Sequence, residues 1–156
     1  MANDNLSTYL NDHLAGSVGA LEMIAYLREK QAERLDVEVL GRVESEIKDD
    51  HDLLERLMSR LGVSHSVVRR TAGWLSERAA RLKLAVDDPH DGDLRVFEML
   101  ELISLGIEGK ISLWKALSAA GVPDGTTNYD RLIDRARGQR LIVEAMHLNA
   151  ARTALH

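Results

Sequence analysis

The sequence contains no cysteine, only two prolines and few aromatic residues. Without cysteine the chain has no disulfide, iron–sulfur cluster or thiolate zinc site, so any metal site would use His, Asp and Glu ligands. Aromatic residues make up 4% of the 156 positions, which argues against a chain built from strands, because aromatic and β-branched residues favour strands. The sequence therefore predicts an all-α fold in a single domain, residues 1–156.

Long apolar runs and an excess of positive charge are also missing. No segment approaches the roughly 20 apolar residues of a membrane helix, and the start MANDNLSTYL lacks the basic and apolar regions of a signal peptide. The formal net charge is −5, whereas a nucleic-acid-binding face needs clustered Lys and Arg. We therefore expect a cytoplasmic protein without a membrane or nucleic-acid partner.

Five segments have apolar residues at spacings of three and four, which is the pattern of helices. In chain order they are Leu6–Glu33, a segment capped by Asp36 and ending at Gly62, Ser64–Val86, Asp93–Leu117, and a segment that begins with Thr127 and Asp130 as an approximate capping box. Short links predict two antiparallel hairpins, from the first two and the last two segments. The middle segment predicts either a crossover helix between the hairpins or one member of a five-helix up-and-down bundle.

The first segment carries small residues four apart, at Ala15 and Gly19 and again at Gly16 and Ala20. Small side chains at this spacing let a second helix approach closely. This face predicts a homodimer formed through the first helix.

Candidate metal ligands lie at mid-helix positions. In the stretch VEAMHLNA, Glu144 precedes His147 by three residues, so both project from one side of a helix. His51 falls on the apolar stripe of the second segment. Counting outward from the two links places Glu22 level with residue 48, one turn from His51. It also places residues 144–147 level with about residues 101–104, which selects Glu101.

This pattern resembles the ferritin-like superfamily of carboxylate-bridged dimetal proteins, in which the four bundle helices supply Glu, Glu-x-x-His, Glu and Glu-x-x-His. The resemblance implies a four-helix bundle with an additional crossover helix between the second and third bundle helices. It also implies an iron or manganese site and oxidation chemistry on a small-molecule substrate that the sequence does not identify. The residues that the resemblance assigns as metal ligands are Glu22, His51, Glu101, Glu144 and His147.

The chain departs from that pattern at Lys48, where the superfamily has a glutamate three residues before His51. An ammonium group in place of a carboxylate makes a second cation electrostatically unfavourable, so the sequence predicts at most one metal ion. In the alternative, Lys48 pairs with Glu22, and the remaining ligand residues form a buried salt-bridge and hydrogen-bond network. The protein would then be a metal-free helical module for dimerisation or partner binding.

Overall fold

The computed structural model describes residues 4–64, 92–122 and 125–156. Within these ranges the chain forms four helices and no strand: α1 (Asp4–Lys30), α2 (Val37–Arg60), α3 (Gly92–Ala119) and α4 (Tyr129–Ala154). The predicted all-α fold is confirmed, and these helices match four of the five predicted segments. The remaining segment, predicted to run to about Val86, lies outside the described residues beyond Ser64.

The ends of α2 follow from its flanking residues. The side chain of Asp36 accepts a hydrogen bond from the backbone N–H of Val39 at 3.0 Å, which satisfies one of the free donors at the helix start. Gly62 follows the last turn with a φ of 69°, a left-handed conformation that glycine adopts without steric cost. Both predicted ends of this helix are confirmed.

The start of α4 differs from the prediction by one residue. The cap is Asn128, whose side chain accepts a hydrogen bond from the backbone N–H of Arg131 at 3.0 Å. The predicted capping box on Thr127 and Asp130 is therefore wrong, because a cap at 128 moves every position of the first turn along by one.

The hairpin of α1 and α2 is antiparallel, as predicted. Near the link Arg28 forms an ion pair with Glu44, and farther from it Ser17 lies 2.7 Å from His51. Residues that contact each other across the hairpin are therefore farther apart in sequence when they lie farther from the link.

The hairpin of α3 and α4 is antiparallel as well. Trp114 packs beside Tyr129 near the link, with ring centroids 6.3 Å apart. Phe97 stacks on His147 toward the other end of the hairpin, with centroids 4.5 Å apart. The predicted register, which placed Glu144 near the level of Glu101, is consistent with these contacts.

The two hairpins dock through α1 against α3 and α2 against α4. Tyr26 contacts Arg95 and His13 lies near Gly109, so α1 and α3 are antiparallel. Among the described helices, α1 and α4 have no close backbone contact, nor do α2 and α3. These two pairs therefore lie on the diagonals of the bundle.

The end of α2 and the start of α3 lie at opposite ends of the bundle. Ser64 accepts a hydrogen bond from Asn11, early in α1, at 3.2 Å. Asp93, at the start of α3, is 2.7 Å from Arg34, which follows the end of α1. Since α1 has 27 residues and is about 40 Å long, the two attachment points are separated by most of the bundle length.

The core is mainly apolar, and a few buried polar side chains interrupt it. The predicted stripe of α2 is confirmed at Leu40, Val43, Ile47, Leu54 and Met58, all buried. No helix of the described ranges is long and apolar enough to cross a membrane.

Candidate functional site

Three polar residues occupy apolar stripes of the bundle. Asp50 lies in the run 43, 47, 50, 54, 57 of α2, in which the other four residues are buried and apolar. Lys110 lies on α3 between the buried residues Ile107 and Trp114, and Gln139 lies on α4 between Ala136 and Val143. Spacings of three and four keep these side chains on the interior face. The bundle therefore has a polar centre.

The three side chains form one hydrogen-bonded network with Arg135 and Glu46. Lys110 Nζ donates to Asp50 Oδ2 at 2.6 Å and to Gln139 Oε1 at 2.5 Å. Gln139 Nε2 donates to Glu46 Oε2 at 3.0 Å and to Asp50 Oδ2 at 3.3 Å. Arg135 pairs with the other oxygen of Asp50. The network joins α2, α3 and α4.

Charge balance in this network comes from the protein itself. The Asp50 carboxylate is 2% exposed and has two cationic partners, Lys110 and Arg135. Burial lowers the pKa of Lys110, and the adjacent Asp50 carboxylate opposes that shift only in part. Two cations beside the buried carboxylate supply the positive charge that metal ions supply in a dimetal centre, so the residues at the middle of the bundle do not fit such a centre.

A cavity of about 210 Å³ adjoins the network between α1, α2 and α3. Asp50 and Lys110 form part of its wall. Small residues line it on two helices, at Gly16 and Ala20 of α1 and at Gly106 and Gly109 of α3. A Cβ atom added at Gly16 or Gly106 would meet no other atom within 4 Å. The absent side chains of these glycines therefore create the space.

His51 forms part of the cavity wall, and Ser17 sets the orientation of its ring. Ser17 Oγ donates its single proton to the carbonyl oxygen of Leu14 at 2.6 Å and is 2.7 Å from Nδ1 of His51. Because Ser17 has no second proton to donate, we assign the proton of this contact to His51 Nδ1. In the neutral imidazole, Nε2 then carries a free lone pair, 3.6 Å from a carboxylate oxygen of Glu55.

His13 is the second imidazole of the cavity wall. Its ring packs edge-on against Tyr9, with centroids 4.6 Å apart. Burial lowers the pKa of His13, and the neighbouring Asp12 carboxylate opposes this shift without cancelling it. His13 is therefore neutral at pH 7.

Trp114 contributes an unused hydrogen-bond donor. The residue lines the cavity and is 1% exposed. Its indole Nε1 atom is buried and has no hydrogen-bond partner in the described part of the chain. A buried N–H group normally has an acceptor, and one without a protein acceptor costs about 1–3 kcal/mol.

Two residues of the register predicted between the first two segments lie at the surface. Glu22 and Lys48 line one shallow groove, so their predicted level is confirmed. However, both are exposed, and the Lys48 side chain, 65% exposed, pairs with Asp52 one turn later at 3.3 Å. The prediction of a buried network built on Lys48 and Glu22 is therefore wrong. Position 48 lies beside the apolar stripe that includes Ile47, on the solvent side.

The predicted ligands of the second hairpin also occupy separate environments. Glu144 is 41% exposed and lies 4.0 Å from Arg140 on its own helix. Glu101 is partly buried. His147 stacks on Phe97, and its Nε2 atom is buried without a hydrogen-bond partner among the described residues.

One group of three potential metal ligands occurs in the described ranges. His51, Asp52 and Glu55 each offer a ligand atom within 4.8 Å of the other two. Of the five predicted ligands, His51 belongs to this group, whereas Glu22, Glu101, Glu144 and His147 do not.

The polar network was missed although the sequence carries a signal for it. Asp50, Lys110 and Gln139 each continue an apolar series at spacings of three and four. A charged or amide residue in such a series requires a polar partner inside the fold. The predicted ligand set was limited to glutamates and histidines, so it did not include these three positions.

The chain matches no protein-family model, no curated protein and no solved structure.

Proposed function

We propose that this protein is a ferritin-like helical bundle in which the Asp50–Lys110–Arg135 network replaces the dimetal centre and the adjoining cavity binds a small molecule. The bundle geometry supports the ferritin-like part. All neighbouring helices are antiparallel, while α2 and α3 are parallel and lie on a diagonal. Ferritin-like bundles have this arrangement because one long connection joins their two hairpins.

The polar residues in the wall of the cavity are the observation that carries the binding proposal. A cavity with purely apolar walls is stable when empty. Here the wall includes two polar residues: His51, whose Nε2 lone pair is free in the neutral ring, and Lys110, whose ammonium group has a third proton beyond its bonds to Asp50 and Gln139. A ligand that carries both an acceptor and a donor would satisfy the two groups.

The size and lining of the cavity restrict the ligand class. A cavity of about 150 Å³ accommodates benzene, and this one is about 210 Å³. Leu54, Leu105 and Leu113 supply apolar wall between the polar groups. We therefore propose a compact, mainly apolar ligand, about the size of a substituted benzene, with an amide or carbonyl group.

The proposal is tested with benzamide and toluene as probes. In a Trp74→Phe background, Trp114 is the single tryptophan, and its fluorescence reports on the cavity. We expect benzamide to change this fluorescence in a saturable way and to bind at least about tenfold more tightly than toluene, because toluene cannot pair with the polar groups.

Cavity-filling variants provide the matched control. Gly16→Leu and Gly106→Leu should abolish binding, because each new side chain occupies the cavity. Gly19→Leu changes the same helix outside the cavity lining, and a Cβ there also meets no atom within 4 Å, so this variant should bind as the wild type does. Equal binding in all three variants, or no saturable response in the wild type, would contradict the proposal.

A second candidate function is binding of one iron or manganese ion by His51 with Asp52 and Glu55. Support comes from Ser17, which holds Nδ1 of His51 and leaves Nε2 for a cation, as outer-shell partners of metal-bound histidines do. The ion pair of Lys48 with Asp52 opposes it.

Metal binding is measured by elemental analysis after anaerobic incubation with ferrous iron or with Mn²⁺ and desalting. If the ion binds at His51, the wild type should retain about one ion per chain. This retention should be lost in His51→Ala and kept in His147→Ala. Retention that depends on His147 instead would support the ligand set implied by the ferritin-like pattern.

A further inference from the structure

An exposed apolar stripe runs along α4. It consists of Leu141 and Leu148, which are 61% and 58% exposed, and it continues to Leu155, the C-cap residue of the helix, which is 62% exposed. These residues are seven apart, so they project from one side of the helix. The other large apolar side chains exposed in the described ranges, Leu94, Leu105 and Ile142, are 39%, 46% and 40% exposed. The α4 stripe is therefore the most exposed apolar feature of the described surface.

Beyond ligand binding, we propose that the α4 stripe is a self-association surface on which a second copy of this chain packs antiparallel, with a two-fold axis at Leu148. In this arrangement Leu148 of each copy meets its equivalent. Leu141 of one copy lies level with Leu155 of the other, because both are seven residues, or about 10 Å, from the axis. The stripe is thus complementary to itself, as a two-fold interface requires.

The flanking charges select this orientation. Glu144 and Arg152 lie four residues before and four residues after Leu148. An antiparallel pair places Glu144 of one copy level with Arg152 of the other, and symmetry repeats this pairing. A parallel pair would place like charges level with each other at both positions, which is unfavourable.

The stripe also replaces the surface expected from sequence. The small residues of α1 predicted a dimer through that helix. However, none of the large apolar side chains exposed in the described part of the chain lies on α1, and Gly16 instead opens the cavity. The apolar area available for association is therefore on α4.

Sedimentation of the full chain tests the surface. With increasing concentration the average mass should rise from 17.4 kDa toward twice that value. Leu148→Glu places two carboxylates at the axis and should raise the dissociation constant at least about tenfold. Leu94→Glu introduces the same charge at an exposed leucine outside the stripe and should leave association unchanged. A wild type that is monomeric at every concentration, or Leu148→Glu that associates normally, would overturn the proposal.

Charge reversal tests the orientation. Glu144→Arg and Arg152→Glu should each weaken association, because each variant places like charges level with each other. Mixing the two variants should restore it, since every level pair then has opposite charges. If the mixture associates no better than the single variants, the antiparallel packing is wrong. Circular dichroism of each variant checks that the helices are retained.

Discussion

The ammonium group of Lys110 lies 2.6 Å from the carboxylate of Asp50, and the two side chains are 13% and 2% exposed. A second lysine pair joins Lys48 and Asp52 on α2 at 3.3 Å, with side chains 65% and 39% exposed. The two pairs have the same chemistry and differ in their access to water. Their contributions to stability should therefore differ severalfold.

Asp50→Leu and Lys110→Met should each lower the free energy of unfolding by about 3–5 kcal/mol, because each leaves a buried charge without its partner. The double variant should lose less than the sum, since both charges are removed together. Urea unfolding measures all three. The matched exposed pair, Lys48→Met with Asp52→Leu, should change stability by less than about 1 kcal/mol. Strict additivity at positions 50 and 110 would contradict the coupling.

His13 should make stability depend on pH. Burial lowers the pKa of His13 in the folded state, so as pH falls below the ordinary histidine value of about 6.5 the unfolded chain takes up the proton first. The stability due to the neutral ring is present above that pH and is lost below it. Urea unfolding between pH 7.5 and 5 should show a shallower decline in His13→Gln than in the wild type.

The control for this experiment is His156→Gln, which removes an exposed imidazole. The groups near His13 are Tyr9 and the Asp12 carboxylate. The carboxylate raises the pKa of His13 and therefore reduces the expected loss of stability at low pH. If wild type and His13→Gln lose stability in parallel over this range, the environment of His13 has been misjudged.

His147→Phe should leave the free energy of unfolding unchanged or raise it by up to about 1 kcal/mol. The substitution keeps an aromatic ring against Phe97 and removes the buried Nε2 atom that has no partner in the described ranges. His147→Ala should lose about 1–3 kcal/mol, because the ring contact disappears. Thermal unfolding of both variants distinguishes a packing role from a polar one, since a required polar contact would make the two equally destabilising.

Asp36→Ala should lower the free energy of unfolding by about 1 kcal/mol, because the cap of α2 loses its acceptor for the Val39 N–H. Asp36→Asn keeps a side-chain oxygen at this position and should retain most of the stability. Chemical unfolding of the two variants provides the measurement. A loss of the same size in both would mean that charge at the helix start matters more than the hydrogen bond.

The sequence predicted the helices and their register. It did not predict for every polar residue whether the side chain lies on the buried or the exposed face of its helix. Link lengths set which residues are level, so Glu22 and Lys48 were correctly placed together. Rotation about the helix axis is set by the whole apolar stripe, and position 48 lies beside that stripe while Asp50 lies on it. The ferritin-like pattern places a ligand three residues before His51, at position 48, so the interpretation centred on residue 48 and not on residue 50.

The cavity could not have been predicted in the same way. Gly16 and Gly106 are more than eighty residues apart in the chain, and they open a common space only because α1 packs against α3. Likewise, the free donor of Trp114 depends on which side chains lie around it. Such properties arise from tertiary packing, which no local pattern contains.

The placement of Ser64 and Gly92 at opposite ends of the bundle has a consequence for folding kinetics. Each hairpin is closed by a short link and can form from local contacts, which are made rapidly. The contacts of Asp50 with Arg135 and Gln139 join residues 85 and 89 positions apart, so they form only when the hairpins meet. A misaligned collision would bury the Asp50 carboxylate against apolar side chains at high cost. The central charge network would thus stabilise the native alignment of the two hairpins and disfavour other alignments.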